Sequence, residues 1–423
     1  MTSSTEWSEK VATNLRLGFF AYPWDLLDEG IDVALDTMAH RCHCNAIALN
    51  ASYHSARMFR PRMDSPLTCQ RPGATVAFTP HPSHYEAGAP LPAVDRRLAE
   101  TRVLERARER CEALNMDFGL WVVGLHNSTL GNADAELCVR NCFGDTYTYI
   151  LCPANPRARA YLRGLATDVC AQFRPQRILL EAIGYLGIQH GVHHELFMHP
   201  LGEAERMLLS LCFCPHCLAR ASEAGVDGKA AQEQARRWAR DLIAEERGAL
   251  SADYTAAEMP ALLVESPDLT AYLHVRTETT ASLVAELHHI VTAHGVRLEV
   301  MPTSFVRPTS RAWLEVVSLR RLAEACDALL SLPYFTDPAE VAADLRWVKM
   351  IAKGVPLAAG LSACYPATQS AENLTAKVIS CLDQGVEGVY YFNYGLLSEQ
   401  RLDWVAEANR EVNLCRMDTV ARS

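Results

Sequence analysis

Eight times along this chain, an apolar, β-rich run ends in polar or aromatic residues and gives way to a helical stretch. The runs are residues 15–22, 46–53, 118–127, 178–185, 297–303, 328–335, 356–364 and 389–395. Amphipathic stretches lie between them, at 28–40, 94–114, 157–172, 269–294, 311–326, 338–352 and 371–384. Strands alternating with helices pair in parallel through right-handed crossovers. Eight such units fit a closed (β/α)8 TIM barrel better than an open doubly wound sheet. The first run continues as Tyr22-Pro23-Trp24-Asp25. No glycine-rich dinucleotide fingerprint follows it, which counts against a Rossmann domain.

The chain is read as one barrel over residues 1–423, interrupted by two long insertions. Residues 55–93, rich in proline, histidine and arginine, follow strand two; residues 187–267, with a cysteine cluster and helices of their own, follow strand four. Both leave from strand ends and therefore belong on the C-terminal face, where barrel enzymes carry their sites. Long insertions there build pocket walls.

A net charge of −10 without any lysine/arginine-rich run argues against nucleic acid and against an anionic membrane as partners. The opening MTSSTEWSEKVATNL has no basic region followed by an apolar run, and no stretch has the length of a membrane span. A soluble, cytoplasmic protein is the expectation; a homo-oligomer is compatible with it. In that reducing compartment the fifteen cysteines point to metal binding more than to disulfides.

The strand ends carry the functional reading. Strand one ends in Tyr22 and Trp24 with Asp25, strand two in Asn50 and Tyr53, and strand three in His126 and Asn127. Strand four ends in Glu181, with Tyr185 beyond it. Strand six leads to Tyr334 and Asp337, strand seven to Tyr365, and strand eight to Asn393 and Tyr394. Aromatic rings stack on apolar sugar faces while amides and carboxylates bind hydroxyls, so this mixture suits a carbohydrate substrate. Any single tyrosine or asparagine is as readily explained as a common strand-end residue.

Glu181 directly follows a buried apolar strand, where an unpaired charge is expensive; a pocket-facing carboxyl or a salt bridge in the barrel mouth satisfies that position. Glycoside hydrolysis needs a second carboxylate. Asp337, then Glu195, then Glu299 are the candidates, with Asp25 also on the correct face. The run His190-Gly191-Val192-His193-His194-Glu195 offers His193 and His194 either as substrate-binding walls or as metal ligands beside His126 and Glu181. No organic cofactor is expected.

Cys212-Phe213-Cys214-Pro215-His216-Cys217 places three thiols at a spacing that can converge on one tetrahedral zinc, closed to substrate and therefore structural. By spacing alone, Cys142, Cys138, Cys152 or His216 could supply the fourth ligand; three reduced cysteines without metal are the plainer alternative. A C-x-C-P-x-C motif downstream of a strand-four glutamate resembles the zinc loop of the family-42 β-galactosidases. The resemblance implies Glu181 as acid/base and Cys212, Cys214 and Cys217 as zinc ligands, with Cys142 as the earlier cysteine. The family's strand-seven glutamate has no counterpart in Gly360-Leu361-Ser362-Ala363-Cys364-Tyr365.

The leading expectation is a glycoside hydrolase acting on a small glycoside or oligosaccharide. The alternatives are a metal-dependent sugar lyase or isomerase using the histidines, and a non-catalytic sugar-binding barrel.

Overall fold

The computed structural model describes residues 15–64, 66–188, 196–245 and 252–422. Eight parallel strands form the centre: β1 (Arg16–Ala21), β2 (Ala46–Tyr53), β3 (Asp117–Val123), β4 (Arg177–Glu181), β5 (Arg297–Val300), β6 (Ala328–Ser331), β7 (Leu357–Ser362) and β8 (Gly388–Phe392). Each pairs with the next, and β1 pairs with both β2 and β8, which closes the sheet into a (β/α)8 barrel. All eight expected strands form. Their residues are almost all buried, because both faces of a barrel strand are covered.

The helices follow local rules. Pro156–Phe173 starts where Asn155 caps it, its side chain accepting from the N–H groups of Arg157 and Ala158, with Pro156 at the first position. It ends at Arg174 in the left-handed region, φ 44°. Ala158, Leu162, Leu165, Val169 and Phe173 make its buried stripe. The span 28–40, expected as one helix, is instead broken at Gly30, φ 101°, into Pro23–Glu29 and Ile31–Asp36. Among the described residues no helix is long and apolar enough to cross a membrane.

Side chains alternate in and out along each strand, so the barrel interior is layered. At the N-terminal end the layer is ionic. The fully buried Glu299 carboxylate receives Arg16 at 3.0 Å and Arg177 at 2.6 Å. Arg16 also reaches Glu387 at 2.9 Å and Tyr390 Oη at 3.1 Å, and Arg177 pairs with Asp117. Glu299 is thus neutralised at the closed end of the barrel. The layer above is apolar, and Gly360 makes room in it: a Cβ there would lie 2.6 Å from Leu332 Cδ2 and 3.3 Å from Phe20.

Both insertions lie after strand ends. In the first, the hairpin Ala56–Phe59/Thr68–Arg71 precedes a short strand, Thr75–Val76, that adds antiparallel to the end of β2. The buried Arg60 fixes it, reaching Asp25 at 3.2 Å, Asp28 at 2.7 Å and the Pro66 carbonyl at 3.0 Å. In the second, the helices Glu203–Ser210, Pro215–Glu223, Gly228–Ala244 and Ala252–Val264 lead into the long helix Pro267–Ala293. A hairpin, Cys138–Arg140 with Thr146–Leu151, follows β3.

Removing the charge at Glu299 would leave two buried arginines facing an amide. Glu299→Gln is expected to destabilise the fold by about 3–5 kcal/mol, read as a lowered urea midpoint with an unchanged m-value; an unchanged midpoint would contradict it.

Candidate active site

At the C-terminal mouth of the barrel the strands enclose a cavity of about 170 Å³, and Glu181, the last residue of β4, is part of its wall. Its Oε2 accepts a hydrogen bond from Trp121 Nε1 at 2.8 Å. Burial pushes its pKa up to about 7, and the nearby Glu315 adds to the rise; the Trp121 bond and the Arg307 charge oppose it. A carboxyl with that pKa holds and releases a proton near neutrality, as an acid/base group requires.

Aromatic rings make the floor. Phe20 meets Trp121 edge-on at 5.3 Å and Phe392 at 6.2 Å, and Tyr334 lies 5.8 Å from Phe392. His54 is sandwiched between Tyr53 and His126, 4.1 Å from each. Arg307 lies over the Tyr334 ring at 4.6 Å, its guanidinium donating to the carbonyls of Leu332 at 3.0 Å and Phe305 at 2.8 Å. The loop carrying Ser304 and Arg307 is anchored from behind by Glu315, whose carboxylate accepts the N–H groups of Ser304, Phe305 and Val306 at 2.8–2.9 Å. Glu315 is 3% exposed and committed to that loop.

Of the residues named from the sequence, the structure brings Glu181, His126, Tyr334 and Tyr53 into this cavity. Others lie behind it. Tyr22 is buried, its hydroxyl 2.7 Å from that of Tyr53, and Trp24 stacks on it at 4.6 Å. Asn50 spends its amide on the carbonyls of Ser52 and Trp121. Asn127 caps the helix Ser128–Ala133 through the Leu130 N–H and donates to Tyr161. Asn393 is fully buried and accepts from the Gly395 N–H, and Tyr394 donates to Glu29 at 2.8 Å. Tyr365 is 78% exposed. Tyr185 lies against the cysteine cluster, its hydroxyl 3.3 Å from Cys217 Sγ.

Asp337 is exposed and outside the cavity: it caps the helix Pro338–Ile351, accepting the Ala339 N–H at 2.8 Å. An aspartate just before a proline-led helix is first of all a cap. Asp25 is locked to Arg60. His193, His194 and Glu195 lie outside the described residues. Among the described residues that line the cavity, Glu181 is the sole carboxylate.

The sequence reading missed Phe20, His54, Trp121, Arg307 and Phe392. For Phe20, Trp121 and Phe392 a signal existed: each is an inward position inside its strand, in step by twos with the buried layer beneath. The reading looked one or two residues past the strand ends instead. Arg307 and His54, on irregular segments, left no such periodic signal.

The second chemical feature is the cysteine cluster. The sulfurs of Cys152, Cys212, Cys214 and Cys217 lie within 4.8 Å of one another, with Cys152 at 3.8, 3.6 and 3.4 Å from the other three. A tetrahedron with metal–sulfur bonds of about 2.3 Å has sulfur–sulfur edges of about 3.8 Å, so these residues fit a four-thiolate metal site. The fourth member is Cys152 and not Cys142. The hairpin after β3 carries Cys142 to its far turn, where its thiol contacts the Leu208 carbonyl at 4.0 Å and its own carbonyl is held by Arg236 at 2.7 Å. The returning strand of the same hairpin delivers Cys152 to the cluster.

No protein-family model matches this chain, and no curated protein sequence matches it. Solved structures do. The catalytic domain of a β-amylase from Paenibacillus polymyxa aligns with a TM-score of 0.57 at 11% identity, over 95% of this chain and 98% of that one. A β-galactosidase from the psychrophilic Marinomonas ef1 aligns with a TM-score of 0.57 at 10% identity, over 96% of this chain and 60% of that one. An α-L-fucosidase from Paenibacillus thiaminolyticus gives 0.54 at 11%, over 94% and 49%. The chain thus spans about half to three-fifths of the length of these last two. At such identities the likeness is one of architecture: this chain has the (β/α)8 barrel on which those glycoside hydrolases are built.

Proposed function

We propose that this protein is a glycoside hydrolase in which Glu181 is the proton donor to the leaving oxygen. The observation that carries the reading is a carboxyl with a pKa near 7, held by Trp121 in an aromatic-floored cavity at the C-terminal mouth of the barrel. At neutral pH a large fraction of Glu181 keeps its proton, and the cavity screens it from water until a glycosidic oxygen is within reach. Trp121, Phe392 and Tyr334 would present ring faces or edges to the sugar, while His126, His54 and Arg307 would bind hydroxyls. A cavity of about 170 Å³ suits a single sugar ring better than a polymer.

The partner carboxylate is proposed as Glu195, from its sequence position in the segment after β4; Asp337 is assigned a capping role instead. The cysteine cluster is proposed to hold structural zinc, which when bound would tie the hairpin after β3 to the insertion after β4. Cys152, Cys212, Cys214 and Cys217 would be its ligands. A second reading, a barrel that binds sugar without turnover, is favoured by the single carboxylate among the described residues of the cavity.

Turnover of a panel of aryl glycosides and oligosaccharides separates the two. Glu181→Gln is expected to lower kcat/KM about 10³-fold on any substrate the wild type cleaves. Binding by both proteins without turnover by either would establish the second reading. Activity removed by a chelator while the fold persists would move the chemistry to a metal.

A proton donor must be protonated, so kcat/KM is expected to fall as pH rises through about 7. The Trp121 N–H stabilises the charged form of Glu181. Trp121→Phe therefore raises this pKa and moves the alkaline limb to higher pH; a limb that stays in place would remove Trp121 from proton control. Asp337→Ala is expected to cost about 1 kcal/mol of stability through the lost cap and to leave kcat within twofold. A large loss of kcat in that variant would restore Asp337 as a catalytic candidate.

A further inference from the structure

The long helix Pro267–Ala293 sends one arginine into the protein with no carboxylate among the described residues to pair with it. Arg276 is 1% exposed, and among the described residues none of its three guanidinium nitrogens has a hydrogen-bond partner. The other buried arginines among the described residues are ion-paired: Arg16, Arg60, Arg159 and Arg177 all reach carboxylates. The guanidinium of Arg276 instead lies over the Tyr185 ring, 3.8 Å from its centroid. The Tyr185 hydroxyl is in turn 3.3 Å from Cys217 Sγ.

The surroundings of Arg276 are those of the cysteine cluster. One turn earlier on the same helix face, Tyr272 donates to the Cys212 carbonyl at 2.6 Å and stacks on Phe213 at 4.8 Å. The largest electrostatic influences on Arg276 come from Tyr185, Cys217, Tyr272 and Cys212. If the four cysteines were neutral thiols, a buried cation would stand uncompensated, which is among the costliest arrangements in a folded chain. Four thiolates around a divalent cation carry a net charge of −2. A donor already points at these sulfurs: the Arg140 backbone N–H reaches Cys212 Sγ at 3.3 Å.

We propose that Arg276 is the fixed counter-charge of a dianionic metal–tetrathiolate centre formed by Cys152, Cys212, Cys214 and Cys217. It is a positioning residue and touches no substrate. Its charge, presented across the Tyr185 ring, stabilises the thiolate cage and so strengthens the sulfurs' hold on the divalent ion. The inference rests on the metal-site reading given above, and it supplies that reading with one buried positive charge against the net −2 of the centre.

The test loads the full-length protein with Co²⁺ and follows the sulfur-to-cobalt charge-transfer bands of a four-thiolate site. Wild type is expected to bind one equivalent and to release it slowly to excess chelator. Arg276→Met keeps an unbranched apolar stem and removes the charge, and is expected to weaken cobalt affinity about 10–100-fold, the usual cost of losing an outer-shell partner. Arg276→Lys is expected to recover a large part of that loss. Should the methionine variant fail to fold, Arg276→Gln replaces it in the same comparison. Neutral variants that hold and release cobalt as wild type does would overturn the inference and leave the metal site standing. Failure of wild type itself to bind cobalt would overturn both.

Discussion

The pairing of β1 with β8 is the contact on which everything else rests. Phe19 opposite Tyr391 and Gly18 opposite Tyr390 turn an eight-stranded ribbon into a ring. Once the ring closes, no strand has a free edge, and every strand faces helices outside and its seven fellows inside. The inward positions then stack in layers whose chemistry depends on height. The ionic layer of Arg16, Arg177 and Glu299 fills the N-terminal end. Above it lies a layer in which Gly360 yields space to Leu332 and Phe20, and above that the ring containing Trp121, Glu181 and Phe392. Glu181 and Arg177 are therefore two ends of one inward column on β4, one neutralised by partners and the other left to titrate.

This geometry explains which parts of the fold and site were legible in the sequence. Strand existence was, because a strand buried on both faces writes an apolar run that local context cannot disguise. The insertions were legible as interruptions of a rhythm. Glu181 stood out because a carboxylate at the end of such a run needs a reason. The neighbours of Glu181 were harder to read. Trp121 is surrounded by leucine and valine and looks like core; only the two-residue alternation, followed across all the strands, separates a lining residue from a filling one. The residues just past the strand ends were overread as substrate contacts, since Asn127, Asn393 and Asp337 spend their side chains on capping, a task any chain turning from strand to helix must perform.

The cysteine cluster shows the same limit from another side. Three of its members follow from spacing along the chain, but the fourth depends on a hairpin folding back. Cys142 and Cys152 are ten residues apart in sequence, on the same excursion from β3, and only the hairpin's length decides which one returns to the barrel. Likewise nothing in the sequence around Arg276 marks it as buried; a charged residue in an amphipathic helix reads as solvated until the partner face is known.

The cluster has a consequence for how this protein can change. Cys152 is held beside the end of β3's excursion, while Cys212, Cys214 and Cys217 are held just past the insertion's first helix. Tyr185 against Cys217 and the sulfurs themselves thereby fix the insertion on either side of its first helix, Glu203–Ser210. Lengthening a loop whose ends are already fixed costs only in proportion to the logarithm of its length. The insertion after β4 can therefore change in length at little cost while Glu181, held by its own strand and by Trp121, keeps its place, so the outer surface of the barrel mouth can drift independently of acid strength.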